Sequence, residues 1–265
     1  MRRFLPHIGL IVFAIYILLP ALWVLRTSII PDGQSYSTDI FPQFTLENYS
    51  KVLFERKFGS ALLNSLILAG GSTLLALPFA AMVAYAFARY STGGKTSRFL
   101  VLATQMLPAI VLILPVFTVF RGIGLTNNLL GLVLVYSALN LPFLTWILLG
   151  FFEGLPQDLE SAAMIDGATP VQTFIRIVLP LSAPGIVSAG ILGFIMAWNE
   201  FIFALVLSGP RTATVPVALA AFQSQNGVQI ANVSAGVVLA VLPMAIISRF
   251  VQKYIVSGLT FGAVK

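Results

Sequence analysis

One carboxylate stands inside an apolar run: Glu200, in MAWNEFIFALVLSG. A charged side chain at bilayer depth faces the protein interior or a water-filled cavity. Glu200 and Asn199 can therefore offer acceptors to the hydroxyl groups of a passing solute, with Trp198 as a flat face for a sugar ring; the competing use is packing, or hydrogen bonding at the outer boundary of the bilayer. Gln105, Asn140 and Trp146 fit a solute pathway in the same way, and equally fit helix-packing hydrogen bonds or an interfacial aromatic. The GGKT at 93–96 imitates the end of a phosphate-binding loop, but Arg89 stands where the first glycine is required and no strand precedes it. Nucleotide binding is thus not expected at this motif. His7 is alone at the head of the first apolar run, and the absence of cysteine excludes disulfides and thiolate metal sites. No nucleophile–base pair, carboxylate dyad or metal-ligating cluster is spaced for chemistry, so no catalytic hypothesis has residues to rest on; the chain is not expected to be an enzyme or to hold a cofactor or metal of its own.

The second polar feature is a whole segment, EGLPQDLESAAMIDGATPVQTFIRIVLPLSAPG at 153–185. Pro156 suits a first helical turn, where Asp158 and Glu160 meet the positive end of the helix dipole. Leu155, Leu159, Ala162 and Ala163 recur on one narrow apolar face. Gly167 can take the left-handed conformation that ends a helix. Thr169 and Pro170 then restart the chain as an N-cap and a first-turn proline. A second helix carries Val171, Phe174, Ile175 and Val178 and is expected to end before Pro180. A helical hairpin follows, with an exposed, partly apolar surface. A hairpin lying on the bilayer would carry several Lys or Arg on its polar face, whereas this one is acidic in its first half.

What holds these residues is a membrane protein. Of 265 residues, 58% are hydrophobic and only 9% charged, against about 25% charged in a soluble domain. The net charge of +6 does not indicate nucleic acid, because the basic residues sit in short loops and tails. Runs at 8–28, 58–89, 99–121, 129–152, 184–207 and 233–256 each supply the ~20 apolar residues needed to cross a ~30 Å hydrocarbon core. The first is long for a signal peptide and no small-x-small cleavage site follows it, so it is expected to be a retained helix. The fold class expected is an all-α integral membrane protein of six transmembrane helices in a single domain, in contact with membrane lipid, with external loops at 29–57 and about Arg211 to Asn226. Six crossings put both termini on one side, together with the hairpin loop 153–183. Arg2, Arg3, Arg89, Lys95, Arg98, Arg176, Arg249, Lys253 and Lys265 fall on that side, against Arg26, Lys51, Arg56, Lys57, Arg121 and Arg211 on the other. By the positive-inside rule the termini and the hairpin are cytoplasmic.

The hairpin resembles the EAA loop of the membrane-spanning subunits of ABC importers. Ser161, Ala162, Ala163, Asp166, Gly167, Ala168, Ile177, Leu179 and Pro180 match its pattern. Ser161 falls where the family usually has glutamate, and Glu160 immediately precedes it. TLENYSKVLF at 45–54, NSLILAGGSTLLALPFAAMVAYAFARY at 64–90, AWNEFIFAL at 197–205, TVPVAL at 214–219 and SGLTFGAVK at 257–265 are similar to the carbohydrate-importing, maltose-type branch. The resemblance implies a type I ABC importer permease fold in a bacterial cytoplasmic (inner) membrane, with a cytoplasmic coupling helix. Glu160, Ser161, Ala162, Ala163, Asp166, Gly167, Ala168, Pro170, Phe174 and Arg176 would couple it to an ATPase, joined by the C-terminal tail. It further implies a second, non-identical permease, two ATP-binding subunits that hold ATP and Mg, and an extracytoplasmic solute-binding protein. The cargo implied is a sugar or sugar derivative. The alternatives are a non-sugar solute on the same architecture and an ion-coupled secondary carrier using Glu200, against which stands the lack of an internal repeat.

Overall fold

The computed structural model describes residues 5–37, 39, 43–224 and 227–263. Arg2, Arg3, Asn226 and Lys265, named above, lie outside them, as does the end of the C-terminal tail. The regular structure of the described residues is helical apart from a hairpin of two two-residue strands, β1 (Gln223–Ser224) and β2 (Gly227–Val228), antiparallel, inside what the sequence presents as an external loop. The chain divides into two compact units.

The first unit is the chain up to Leu62 together with Val215–Ala245. Its α1 (Leu5–Ser28) is unbroken by Pro20, and none of its most apolar stretch is buried. After α1, Asn48 ties the chain end together by donating to the carbonyls of Ser28 (3.0 Å) and Ile30 (2.7 Å), from the short α2 (Glu47–Ser50). The Asp32 carboxylate accepts the backbone N–H of Ala231 near the start of α13 (Ile230–Ala263). Phe58 packs on Phe222, close behind α12 (Val215–Ala220), with ring centroids 6.2 Å apart.

The second unit is Leu63–Thr214 with the chain from Ile246 onward. It contains most of α3 (Phe58–Tyr90), α4 (Gly94–Ala103), α5 (Ala109–Gly122), α6 (Leu129–Glu153), α7 (Asp158–Ile165), α8 (Pro170–Thr173), α9 (Leu179–Leu181), α10 (Ala183–Asn199) and α11 (Ile202–Leu207). Its core is a small-to-large fit. Ala76, Ala80, Ala81 and Ala84 of α3 and Ala189 of α10 let Leu144, Leu148, Leu149 and Phe152 of α6 come close. Between apolar helices in lipid, such close van der Waals packing is what holds the elements together.

Among the described residues, four helices are long and apolar enough to cross a membrane: His7–Ser28, Phe58–Tyr90, Leu129–Glu153 and Ile230–Arg249. Two bent pairs, Gly94–Met106 with Ala109–Gly122 and Pro170–Leu181 with Ala183–Asn199, would bring the number to six if each counted as one span. The run 99–121, expected as one helix, is two, Gly94–Met106 and Ala109–Gly122, meeting at 90°. Leu107 is extended (φ −70°, ψ 123°) because Pro108 follows it, and the residue before a proline is pushed out of the helical region. The run 184–207 is likewise interrupted, at Glu200 and Phe201 between α10 and α11. The second arm of the hairpin does not stop before Pro180. It runs through a five-residue π turn, Phe174–Val178, in which the Leu179 N–H reaches back to the Phe174 carbonyl. That wider turn accommodates a proline that would otherwise clash inside a helix. The arm ends at Leu181, 76° from the axis of α10.

Candidate functional site

The hairpin is closed by its own local chemistry. Gly167 has φ +88°. Its N–H donates to the Met164 carbonyl (3.1 Å) and that of Ala168 to Ala163 (3.0 Å), the paired bonds of a Schellman ending for α7. Thr169 then caps α8 reciprocally: its hydroxyl accepts the Gln172 N–H (3.3 Å), and the Gln172 side chain accepts the Thr169 N–H (2.9 Å). Pro156 lies two positions before the first residue of α7 and does not open it.

Two faces result, and the inward one differs from the apolar stripe read from the sequence. Leu159 is 45% exposed and Ala162 is also outward, while Glu160 is buried. The reason is an ion pair. The Arg89 Nε at the end of α3 lies 2.5 Å from the Glu160 Oε1, both side chains being more than nine-tenths buried. Tyr85, one turn earlier on α3, donates its hydroxyl to the other oxygen at 2.6 Å. Arg89 also donates to the Leu155 carbonyl at 3.1 Å, gripping the chain between α6 and α7. Stripping one partner from such a buried pair costs about 3–5 kcal/mol, because the other charge is left uncompensated. A second, more exposed pair links Arg98 of α4 to Glu153 at the end of α6 (2.8 Å). Phe174 turns inward too, its ring 4.7 Å from that of Tyr85 and 6.3 Å from that of Phe152.

The outward face keeps the rest. Ser161, Asp166, Gly167, Pro170 and Arg176 are exposed, and Ala163 and Ala168 are half-buried. Beside them stand Met164, Ile165, Val171 and Ile175, with Ile165 85% exposed. Composition alone gives Ile165 no such prominence; its place directly before the Asp166-Gly167 turn is the signal that puts it at the tip.

The residues read as solute-pathway candidates are engaged in packing and hydrogen bonds to different extents. Glu200 is an anchor of the helix break. Its carboxylate accepts the N–H groups of Phe203 (3.0 Å) and Ala204 (3.3 Å), which α11 would otherwise leave unpaired, and the hydroxyl of Tyr136. In an apolar medium those N–H groups have no water to turn to. Trp198 is buried and stacks on Phe194. Asn140 is buried and donates to the Gly193 carbonyl at 3.2 Å. Asn199, exposed, bonds the Ile195 carbonyl, and Gln105, also exposed, reaches from the 3-10 turn Thr104–Met106 to the Leu139 carbonyl. Trp146 is 53% exposed. No group of three or more metal-ligating side chains occurs among the described residues. GGKT leads into α4 shortly after the end of helix α3, with no strand between them.

A long apolar helical chain with a polar, self-capped hairpin is the architecture of a transport permease. Residues 76–261 match the family of the binding-protein-dependent transport system inner membrane component, and the chain belongs to that family. It is 40% identical over 257 residues to the trehalose transport system permease protein SugB of Mycobacterium tuberculosis (strain CDC 1551 / Oshkosh), covering 94% of this chain and 93% of that one. It is 40% identical over 271 residues to the trehalose/maltose transport system permease protein MalG of Thermococcus litoralis, covering 100% and 98%. To the sulfoquinovosyl glycerol transport system permease protein SmoH of Agrobacterium fabrum it is 37% identical over 253 residues, covering 94% and 89%. A bacterial ABC transporter involved in the import of the acidic polysaccharide alginate has the same fold, with a TM-score of 0.79, 22% identity and 94% of each chain covered. The chain is therefore a membrane-spanning permease of the type I ABC importer fold, a transport component and not an enzyme. Membership in this family removes the ion-coupled carrier.

Proposed function

We propose that this chain forms half of the membrane path of an ATP-driven importer for a sugar or sugar derivative. The relatives named above carry sugars in their names, trehalose, maltose and sulfoquinovosyl glycerol. They favour such a cargo over an amino acid, phosphate or polyamine. Its other half is a second, non-identical permease. Two ATPase subunits hold ATP and Mg, and an extracytoplasmic binding protein delivers the solute. The four long helices, the bent pair Gly94–Met106 with Ala109–Gly122, and α10 with α11 are the six spans, with both termini and the hairpin on the cytoplasmic side of the inner membrane.

The observation that carries this reading is the two-faced hairpin. Its inner face is tied to α3, and its outer face offers Ile165, Met164, Val171 and Ile175 beside Ser161, Asp166 and Arg176. An exposed apolar patch rimmed by polar groups is what a protein partner covers. When ATP draws the two ATPases together, the hairpins seated on them move, and the spans they carry tip from inward-open to outward-open. The exposed amides of Asn199 and Gln105 and the indole of Trp146 are the pathway candidates left with free surface. In the complex purified with its ATPases, Ile165→Asp should lower ATPase co-purification by about tenfold or more, as for a buried interface anchor. Undiminished co-purification would remove the hairpin as the docking site.

A further inference from the structure

Glu160 is the acidic residue nearest the position where the resemblance puts a glutamate, yet it does not point outward. Its two oxygens are held by Arg89 Nε at 2.5 Å and Tyr85 hydroxyl at 2.6 Å, with 5% of the residue exposed. Tyr85 and Arg89 are four residues apart on α3, so one face of one helix supplies both partners. Arg89 reaches on to the Leu155 carbonyl at 3.1 Å. The Tyr85 ring lies 4.7 Å from Phe174 of the second arm and meets Phe152 of α6 edge-on at 6.1 Å. The end of α3 is thus bonded to the first arm of the hairpin, packed on its second and fixed to the strap between hairpin and α6. Asp158, the other acid of the same turn, is exposed and without such a grip.

We infer that Tyr85, Arg89 and Glu160 form an internal latch that makes the hairpin and the end of α3 move as one piece, so that they are positioning residues of the coupling stroke and Glu160 is not the acidic contact to the ATPase. The inference rests on the proposal that the hairpin docks an ATPase. A lever delivers force only if the face away from the motor is fixed to what must move, and contacts through α7 alone would let it roll. The buried, two-point grip on Glu160 opposes that roll, while the half-exposed Arg98–Glu153 pair is of the kind that water and salt weaken. The polar contacts with the ATPase then fall to the exposed Asp158, Asp166 and Arg176.

The test uses the whole complex, with its ATPases and binding protein, reconstituted in liposomes and probed with labelled trehalose. The quantities read are trehalose taken up per ATP hydrolysed and the amount of ATPase that co-purifies. Because the chain has no cysteine, spin labels at Ser91→Cys and at Gln157→Cys, an exposed residue just before α7 that is not on the docking face, also report the separation of α3 and hairpin before and after vanadate trapping, whatever the cargo. Glu160→Gln and Arg89→Gln should keep wild-type ATPase co-purification, let the label separation change on trapping where wild type holds it constant, and lower uptake per ATP about tenfold. The charge swap Arg89→Glu with Glu160→Arg should restore the constant separation and part of the uptake, which a merely structural pair would not do selectively. If the single variants fail to accumulate, Tyr85→Phe, which spares the ion pair, and the swap carry the same readouts. The inference is overturned if the separation stays constant in the variants, or if Glu160→Gln strips the ATPase while Arg89→Gln does not. Wild-type complex that carries no ATPase would instead overturn the docking proposal beneath it.

Discussion

Three acidic side chains show how one residue type is given different tasks by its surroundings. Glu200 closes a broken span, Glu160 closes a latch, and Asp166 is left to the outside. Replacing Glu200 by Ala leaves the N–H groups of Phe203 and Ala204 and the Tyr136 hydroxyl without an acceptor, at about 1–3 kcal/mol for each buried group so orphaned. Thermal unfolding of the purified complex should show a clear loss of stability for Glu200→Ala and a smaller one for Glu200→Gln, which keeps one carbonyl oxygen for the backbone. If Glu200 instead served the solute alone, both variants would unfold at the wild-type temperature and differ only in uptake. The chain itself suggested a carboxylate with an internal or a solute-facing use; only the break at Phe201, which hydropathy does not register, shows which N–H groups it answers.

Among elements, the hairpin was the most legible. Gly167, Thr169 and Pro170 act through bonds to residues at most five positions away, so their consequences can be worked out from spacing alone, and the turn and cap form as expected. Gly167→Pro should undo the Schellman ending, since proline lacks the N–H and cannot take φ +88°. Membrane insertion should persist while uptake per ATP falls, as measured in reconstituted vesicles; wild-type coupling would show that the turn geometry is not needed. Which face turns inward was not legible, because it is decided by Arg89, 71 residues away from its partner. The bends at Pro108 and Glu200 escaped for another reason: an apolar run satisfies a span whether straight or broken, and only the Leu107-Pro108 step carried a local signal. Close packing was equally invisible at Gly131 in α6, where an added Cβ would sit 2.2 Å from the Leu125 carbonyl oxygen. Gly131→Ala should therefore shift or destabilise the start of α6, with a lowered unfolding temperature, and an unchanged one would mean the neighbouring turn yields freely.

At the scale of the whole molecule, the proposed function rests on the difference between a tied face and an open one. The membrane class, the six apolar runs and the family pattern were carried by composition and by motifs spread along nearly the whole chain, which is why they could be read without coordinates. The division of labour within the hairpin could not, since it depends on side chains brought together by packing. The most direct test labels Ile165→Cys in the otherwise cysteine-free chain with a membrane-impermeant maleimide. The residue should react in inside-out vesicles stripped of ATPase, be protected when the ATPase is added back, and stay unreactive in right-side-out vesicles. Labelling from the outer side, or labelling indifferent to the ATPase, would contradict a cytoplasmic coupling hairpin.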